Sequence, residues 1–307
     1  MLTALLCVGA VLLDWRLGEP RRWHPLAGFG WLAQRVEVLA YGPPETNAEL
    51  RRARGIGAVI VLLVPFAAAA WLLGAIPLLG SVVALGLLAL AIGARSLAEH
   101  AEAVAAALQA NDLPLARERV GLIVSRDTDD LDEEQISRAT VESVLENGCD
   151  AIFGVLFWFS LIHVPGAVLY RLANTLDAMW GYRTPRYRDF GWAAARLDDL
   201  LNWVPARLTA LSYVAVGAKP ALAWRCWWEQ APFWKSPNAG PVMAAGAGAL
   251  GLALGGQARY HGEWQQRPAL GEGLAPRAAD IGRAVTLVRR ALWLWLAVIV
   301  LGGLILA

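Results

Sequence analysis

Apolar and charged positions are strictly separated along this chain. All 27 basic and 26 acidic residues fall in five polar stretches, and the apolar stretches between them carry no formal charge. The polar stretches are residues 14–54, 94–152, 171–207, 219–238 and 256–290. Because a charged side chain at the centre of a bilayer costs roughly 3 kcal/mol or more, this pattern predicts an integral membrane protein.

The longest uncharged stretch, Ile56–Gly93, predicts two membrane-crossing helices. A crossing helix needs about 20 apolar residues, and Gly74 and Pro77 are typical of a turn between two such helices. Ala291–Ala307 predicts a C-terminal crossing, with arginines before it and tryptophans near the interface. Met1–Leu13 predicts an uncleaved first helix, because it lacks the basic start and the cleavage site of a signal peptide.

Three other apolar stretches are short or interrupted. Pro165 interrupts Ala151–Tyr170, Leu208–Gly217 is short, and Ala239–Gly255 is rich in Gly and Ala. Such segments are typical of re-entrant pieces or of helices buried among other helices. We therefore predict an all-α, polytopic membrane helical bundle with re-entrant or broken segments, which forms a single integral membrane domain over residues 1–307.

The polar residues 94–150 predict a helical, acidic insertion within that domain. Its first helix is expected at Ala94–Gln109. Its last helix is expected to begin near Asp130, which would cap it with Glu133 three residues later. Asn147–Gly148 is typical of the end of a helix.

Composition narrows the classes of function. Only 17% of the residues are charged, compared with about 25% in soluble domains. The net charge of +1 gives no general attraction to nucleic acid, and the three cysteines lie too far apart for a CxxC or zinc motif. The chain has no P-loop and no HExxH motif. A GxGxxG pattern ending at Gly251, and the GxxxG formed with Gly255, are interpreted as close helix packing because no strand is predicted before them.

Acidic side chains continue along the last helix of the insertion toward an apolar stretch. Glu142, Glu146 and Asp150 follow one another at four-residue spacing. Carboxylates at the C-terminal end of a helix oppose its dipole, and a Mg²⁺ ion would offset that cost. A solvated face with Glu–Arg pairs is the alternative interpretation.

The polar stretch 171–207 carries a second group of chemically active residues. Asp198 and Asn202 would share one face of a helix, with Asp199 beside them. Adjacent carboxylates beside an amide suit a divalent ion or a cationic ligand, and the arginines of this stretch suit phosphate. Ordinary interfacial basic residues are the alternative interpretation.

Two histidines border apolar stretches and lie beside turn-forming Gly and Pro residues. His24 precedes Pro25, and His261 precedes Gly262. Histidine is the side chain that most readily exchanges a proton near neutral pH. Each is therefore a candidate base, with a purely structural role as the alternative.

Five strings of this sequence together resemble one family, the adenosylcobinamide-phosphate synthases. They are Asp14–Pro25 (DWRLGEPRRWHP), Arg126–Asn147, Asn174–Leu211, Ser236–Gly240 (SPNAG) and Tyr260–Glu263 (YHGE). The resemblance spans nearly the whole chain. The chain departs from the family pattern after Asp150, where the usual Gly and Pro are absent.

The resemblance implies a membrane enzyme that joins adenosylcobyric acid to (R)-1-aminopropan-2-ol phosphate in an ATP-dependent reaction, giving adenosylcobinamide phosphate. ATP and Mg²⁺ are the implied cofactors, and a corrinoid is the implied substrate. The catalytic candidates are His24, Asp177, Asp198, Asp199 and His261. The substrate-binding candidates are Arg126, Asp127, Asn147, Asn174, Arg186, Arg188, Asn202, Arg207, Ser236 and Asn238. The metal candidates are Glu142, Glu146 and Asp150.

The resemblance also implies a multi-pass protein of the bacterial inner membrane whose site faces the cytoplasm. Its expected partners are membrane lipid and the two small substrates, and a homo-oligomer or an assembly with other proteins of the pathway is left open. Because ATP and the corrin are cytosolic, we expect the polar loops to share one face. A corrinoid-binding or transport protein without ligase activity is the main alternative, and a non-catalytic scaffold is another.

Overall fold

A computed structural model describes residues 1–20, 24–77, 79–260 and 262–306 of the chain. Helices account for most of these residues, which confirms the predicted all-α class. The first seven helices are α1 (Leu2–Leu17), α2 (Pro25–Ala40), α3 (Ala48–Gly74), α4 (Leu79–Ala91), α5 (Ala94–Gln109), α6 (Leu113–Gly121) and α7 (Glu133–Gly148). A π-helical turn at Cys149–Phe153 leads into the remaining elements. They are α8 (Gly154–Trp180), α9 (Tyr187–Phe190), α10 (Trp192–Val216), α11 (Pro220–Gln230), α12 (Ala239–Leu250), β1 (Leu254–Tyr260), β2 (Glu263–Leu270) and α13 (Ala278–Ile305).

Four helical segments are long and apolar enough to cross a membrane by length and composition. Among the described residues they are Ala48–Gly74, Leu79–Gln109, Glu133–Trp180 and Ala278–Ile305. They include both halves of the predicted hairpin and the predicted C-terminal crossing. The structure therefore agrees with a polytopic membrane protein.

The chain divides into two compact units. The first contains Met1–Gly93, Gly154–Asn202 and Gly302–Ala307, and the second contains Ala94–Phe153 and Trp203–Leu301. The residues predicted as an acidic insertion lie in the second unit.

In the first unit, α3 and α4 form the predicted helical hairpin. Asn47 caps α3 by accepting a hydrogen bond from the backbone N–H of Leu50 at 2.8 Å. The hairpin turns directly after Gly74, as predicted. A Cβ atom on Gly80 would collide with the carbonyl oxygen of Gly74, so only glycine fits at this close approach.

Helix α8 is broken near its middle, as the sequence predicted for Ala151–Tyr170. Ile162 and His163 have non-helical backbone angles, and His163 has a φ of 58°. Pro165 lies just beyond the break and lacks the N–H group that a helix interior needs. Thr3 and His163 share a hydrogen bond of 3.0 Å, which links the break to α1.

In the second unit, α5, α6 and α7 form the predicted three-helix acidic segment, with one correction. The cap of α7 is Asp132 and not Asp130. Asp132 accepts from the backbone N–H of Gln135 at 2.8 Å, and the Gln135 side chain accepts from the Asp132 N–H at 3.0 Å. This reciprocal pair satisfies two backbone donors at the start of the helix, which makes Asp132 a better N-cap than Asp130.

One expected helix end is confirmed, and one expected segment is wrong. Helix α7 ends at Gly148, as predicted, and a π-helical turn then carries the chain directly into α8. The stretch Leu208–Gly217 is not a separate broken segment, because all but its last residue continue α10. The short apolar stretch was misleading, because it is only the second half of α10 and the first half of that helix is polar.

The glycines of α12 pack as predicted, but those that follow it do not. A Cβ on Gly246 would press on Leu145, and one on Gly248 would press on Ala223. Gly251, however, is the left-handed C-cap of α12, with a φ of 68°. Gly255 lies in β1, so its spacing from Gly251 has no role in helix packing.

A β-hairpin that the sequence pattern did not predict follows α12 in the second unit. Strands β1 and β2 are antiparallel, and the register pairs Leu254 with Leu270 and Tyr260 with Glu263. A bulge lies between Gly255 and Gly256. The strands carry few of the β-branched residues that signal a strand, which explains why they were missed.

Candidate active-site residues

Asp198 lies at the centre of a polar cluster between α8 and α10 in the first unit. Its two carboxylate oxygens accept from different amides, Asn174 at 3.3 Å and Asn202 at 3.1 Å. Tyr170 donates to the Asn202 amide oxygen at 2.7 Å, which turns the Asn202 NH₂ group toward the carboxylate. The structure therefore brings three of the sequence-predicted site residues together, and it adds Tyr170.

Burial changes the acidity of both adjacent carboxyl groups. Desolvation raises the pKa of Asp198 to about 6, against the opposing effect of the two amide donors. Burial also raises the pKa of Asp199, while Arg196 and Arg183 lower it. Asp199 lies 3.5 Å from Arg196. Asp198 is therefore the carboxylate of this pair that is suited to exchange a proton near neutral pH.

Asp177 lies one turn beyond Asn174 on α8 of the first unit. The backbone N–H of Gly181, the residue after the end of α8, donates to the Asp177 carbonyl at 2.7 Å. A Cβ on Gly181 would collide with the Asp177 carboxylate. The position of this predicted catalytic side chain therefore depends on a glycine.

Glu37 is a buried carboxylate in α2 that the sequence analysis did not select. It is 5% exposed. It accepts from Arg186 at 2.9 and 2.6 Å and from the Trp180 indole at 3.1 Å. The hydrogen bond to Glu37 raises the pKa of Arg186. Phe29, Ala33 and Glu37 form a four-residue repeat that is buried along α2, and this repeat is the signal that could have revealed it.

Arg188, the second predicted phosphate ligand of this region, is more exposed than Arg186. It lies 3.7 Å from the buried Asp189, and its side chain is 73% exposed. Arg52 also pairs with Asp189, at 3.2 Å. Arg188 belongs to α9, two residues after Arg186, and Arg52 belongs to α3; all three lie within the first unit.

His24 caps α2, which is the structural role that the sequence left open as the alternative to a base. Its Nδ1 accepts from the backbone N–H of Leu26 at 3.1 Å. Its role as a base stays a prediction. The other predicted base, His261, lies outside the described residues.

Glu142 holds the hairpin of the second unit against α7. It accepts from Arg126, from Arg267 at 2.8 and 3.1 Å and from the backbone N–H of Gly255 at 2.8 Å. Each carboxylate oxygen therefore accepts two hydrogen bonds, which is the full capacity of its lone pairs. Arg267 was missed because its partner lies 125 positions earlier in the chain.

The expected Mg²⁺ site at Glu142, Glu146 and Asp150 does not fit this geometry. Glu142 has no lone pair left for a metal ion, so its assignment as a ligand is corrected to a structural one. Glu146 and Asp150 are half-buried on α7 and on the π-helical turn. Within the described ranges, no group of three or more His, Cys, Asp or Glu side chains is arranged to hold a metal ion.

The other predicted side chains of this acidic segment take part in local contacts. Asp127 accepts from the backbone N–H of Gly262 at 2.8 Å, and its own N–H donates to Arg259 at 2.9 Å. It therefore ties the chain before α7 to the tip of the hairpin. Asn147 donates to the carbonyl and the hydroxyl of Ser143, both at 3.0 Å.

Arg207, Ser236 and Asn238 come together at the start of α12 in the second unit. Arg207 donates to the Asn238 amide oxygen at 2.7 Å and to the Pro237 carbonyl at 2.9 Å. Ser236 accepts from the N–H groups of Asn238 and Ala239 at 3.3 and 3.1 Å. The Arg207 guanidinium also stacks on Trp203 at 4.6 Å, and burial lowers the pKa of Arg207.

Known proteins resemble this chain over nearly its whole length. A family model described as CobD/Cbib protein matches residues 7–288. The cobalamin biosynthesis protein CobD of Chromobacterium violaceum is 62% identical over 97% of this chain and 96% of that protein. The protein of the same name from Stutzerimonas stutzeri is 56% identical over 96% of each chain. That of Mycobacterium tuberculosis is 42% identical over 91% of this chain and 88% of its own. No solved structure matches the chain.

Proposed function

The chain belongs to the CobD/CbiB family, and from this premise we propose that it is an amide-forming ligase of cobalamin biosynthesis. Its substrates are adenosylcobyric acid and (R)-1-aminopropan-2-ol phosphate, and its product is adenosylcobinamide phosphate. The relatives are named for cobalamin biosynthesis, and the family agrees with the motifs found in the sequence.

The chemistry requires that a carboxylate be activated before an amine attacks it. The corrin carboxylate takes the γ-phosphoryl group of ATP, which gives an acyl phosphate and ADP. The amine of aminopropanol phosphate then forms the C–N bond, and inorganic phosphate leaves. The nitrogen loses a proton in this second step, so the enzyme needs a base.

The environment of Asp198 is the observation that carries this proposal. A carboxylate with a pKa of about 6 is ionised at neutral pH and is still a much better proton acceptor than an ordinary aspartate. Asn174 and Asn202 fix its orientation. We assign Asp198 as the base that accepts the amine proton, with Tyr170 holding Asn202 in place.

The fit to Mg²⁺ is poor in the part of the chain that the structure describes. Asn202 presents its NH₂ group to Asp198 and its oxygen to Tyr170, so this cluster does not offer a cage of oxygen ligands. Glu142 is fully committed to arginines and a backbone N–H. The proposal retains ATP and Mg²⁺ as reactants but assigns no step to a protein-held ion.

The same proposal places the protein in the bacterial inner membrane, with its site facing the cytoplasm where ATP is made. The apolar helices support a multi-pass protein. The prediction that the polar loops share one face follows from the reaction, since both substrates and ATP must meet.

Direct turnover by the purified, full-length protein tests the proposal. With adenosylcobyric acid, aminopropanol phosphate and Mg-ATP, mass spectrometry should detect the amide together with ADP. Asp198→Asn should remove most of this activity, whereas the exposed control Glu118→Gln should retain it. Corrinoid binding without any amide or ADP would instead support the alternative of a binding or transport protein.

A further inference from the structure

Tyr41, which follows the last residue of α2, is flanked by two guanidinium groups in the first unit. The central carbon of Arg51 lies 4.6 Å from the centre of the Tyr41 ring. That of Arg186 lies 4.7 Å from the same ring centre. Two positive charges are therefore held against one aromatic ring, although like charges repel.

Buried carboxylates hold the neighbouring arginines by one side only. Glu37 accepts from Nε and Nη2 of Arg186, which is two of the three guanidinium nitrogens. Asp189, which is 8% exposed, lies within 3.2 Å of Arg52 and 3.7 Å of Arg188. In these contacts three guanidinium groups meet two carboxylates, and Arg51 adds a fourth positive charge on the Tyr41 ring, so positive charge is in excess.

Arg51 contributes a hydrogen-bond donor that its described neighbours leave unused. Its Nη2 donates to the carbonyl oxygens of Pro43 and Pro44 at 3.1 and 3.2 Å. Its Nε is buried and has no hydrogen-bond partner among the residues that the structure describes. A buried donor without an acceptor is unfavourable, so a shift of the Arg51 side chain that brings this nitrogen to a ligand oxygen would be stabilising.

The outer edges of the other arginines are accessible. The side chains of Arg52, Arg186 and Arg188 are 47%, 52% and 73% exposed. Arg52 also stacks on Trp192 at 5.3 Å. Hydrogen bonds to Glu37 and Asp189 orient the guanidinium groups of Arg186 and Arg52, while part of each side chain stays exposed to solvent.

We propose that Arg51, Arg52, Arg186 and Arg188, called here the four-arginine cluster, bind a phosphate group. A planar guanidinium matches the geometry of phosphate oxygens and donates to two of them at once. Glu37 and Asp189 orient the cluster and neutralise part of its charge, and the bound phosphate offsets the remainder. Arg51 and Arg52, which the sequence analysis did not select, are the new members of this site.

The phosphate could come from a lipid headgroup or from a soluble molecule, because two of the four arginines lie near the start of a candidate membrane-crossing helix. Arg51 and Arg52 lie near the start of Ala48–Gly74, one of the candidate spans. Interfacial arginines attract anionic lipid headgroups, and the proposed reaction uses phosphorylated soluble molecules. The recognition chemistry is the same in both cases, and direct binding measurements distinguish the sources without depending on turnover.

The soluble source is tested with the full-length protein in neutral detergent, titrated with inorganic tripolyphosphate by calorimetry. We expect Arg51→Gln and Arg188→Gln each to weaken binding by about tenfold or more, and Arg51→Lys by less, since lysine keeps the charge but loses the planar fork. Arg95→Gln is the matched control, because this half-exposed arginine pairs with Glu99 outside the cluster. Each variant is first checked for an unchanged helical spectrum and melting temperature.

The lipid source is tested in nanodiscs of phosphatidylcholine with or without phosphatidylglycerol, by measuring retained lipid with native mass spectrometry. Selective retention of phosphatidylglycerol that Arg51→Gln and Arg188→Gln abolish supports the proposal and identifies a headgroup as the ligand. Equal binding by wild type and both variants in both assays overturns it, as does failure of the wild type to bind either probe. The cluster would then serve only to join α2, α3 and α9. Turnover measured separately shows whether amide formation survives such a failure.

Discussion

The carboxylate of Glu142 and the guanidinium of Arg267 form a buried two-point pair that joins α7 to β2. The two hydrogen bonds measure 2.8 and 3.1 Å, and both side chains are at most 8% exposed. Arg126 completes the group on the other side of the carboxylate. A carboxylate enclosed in this way acts as a fixed anchor for the hairpin.

Removing the charge of Glu142 should destabilise the second unit strongly. Glu142→Gln leaves two guanidinium groups buried without a counter-charge, and breaking a buried pair in this way costs about 3–5 kcal/mol. Thermal unfolding in detergent should show this as a large fall in melting temperature. The control is Glu134→Gln, because Glu134 is half-exposed in its pair with Arg138 and should cost less than about 1 kcal/mol. Equal losses in the two variants would contradict the anchoring role.

The start of α7 offers a direct comparison between two neighbouring aspartates. Asp132→Ala removes the reciprocal cap and should lower the free energy of unfolding by about 1 kcal/mol. Asp130→Ala removes only an exposed ion pair with Arg259, which is 3.2 Å long, and should cost less than about 0.5 kcal/mol. Chemical denaturation of both variants measures the difference. A larger loss at Asp130 would restore the boundary that the sequence suggested.

The sequence predicted those features that follow from local periodicity. The α3–α4 hairpin, the three acidic helices and the broken α8 each depend on apolar length, capping residues or Pro within a short window. The spacing of Asp198 and Asn202 was also sufficient to predict their contact, because residues four apart meet on one helical face.

The remaining errors involve partners that are distant in the chain. Glu142 was expected to bind a metal ion because its helix shows a row of carboxylates, and nothing local indicates that Arg267 reaches it. Glu37 was missed for the same reason, since its partner Arg186 lies 149 positions away in the chain. A buried charge can be recognised from its helical face, but its partner cannot be identified from periodicity alone.

The close approach of Gly181 to Asp177 gives a prediction about a residue that does no chemistry. In Gly181→Ala the new methyl group would collide with the Asp177 carboxylate and with its backbone carbonyl. We expect this variant to fold with a loss of stability of about 1–3 kcal/mol, because an overpacked site must shift its neighbours. Ligase activity should fall as well if Asp177 acts in the site.

Gly28→Ala is the matched control for that variant. Among the described residues, no atom lies within 4 Å of a Cβ placed on Gly28. Gly28 lies in the first turn of α2, where alanine should stabilise the protein by at most about 0.5–1 kcal/mol relative to glycine. Melting temperatures that move in the same direction for both variants would show that the contact with Asp177 does not matter.

The raised pKa of Asp198 predicts opposite effects of pH on activity and on stability. Activity requires the ionised carboxylate, so kcat/KM should fall as the pH decreases through about 6. The free energy of unfolding should instead rise as the pH decreases, because the folded protein binds the Asp198 proton more tightly than the unfolded chain does. The contribution of this group is present below the ordinary pKa of 3.8 and is lost as the pH rises through about 6.

Asp198→Asn isolates both effects. The difference in unfolding free energy between wild type and variant should change by on the order of 2 kcal/mol between pH 4 and pH 7, with the wild type losing stability relative to the variant as the pH rises. Its turnover should fall by about a hundredfold or more at neutral pH, since the base is removed. Tyr170→Phe keeps the carboxylate but releases Asn202, so it should shift the pH profile of kcat/KM while retaining measurable turnover. If both variants kept full activity and an unchanged pH profile, Asp198 would not be the base, because removing or reorienting the base must change one of these two measurements.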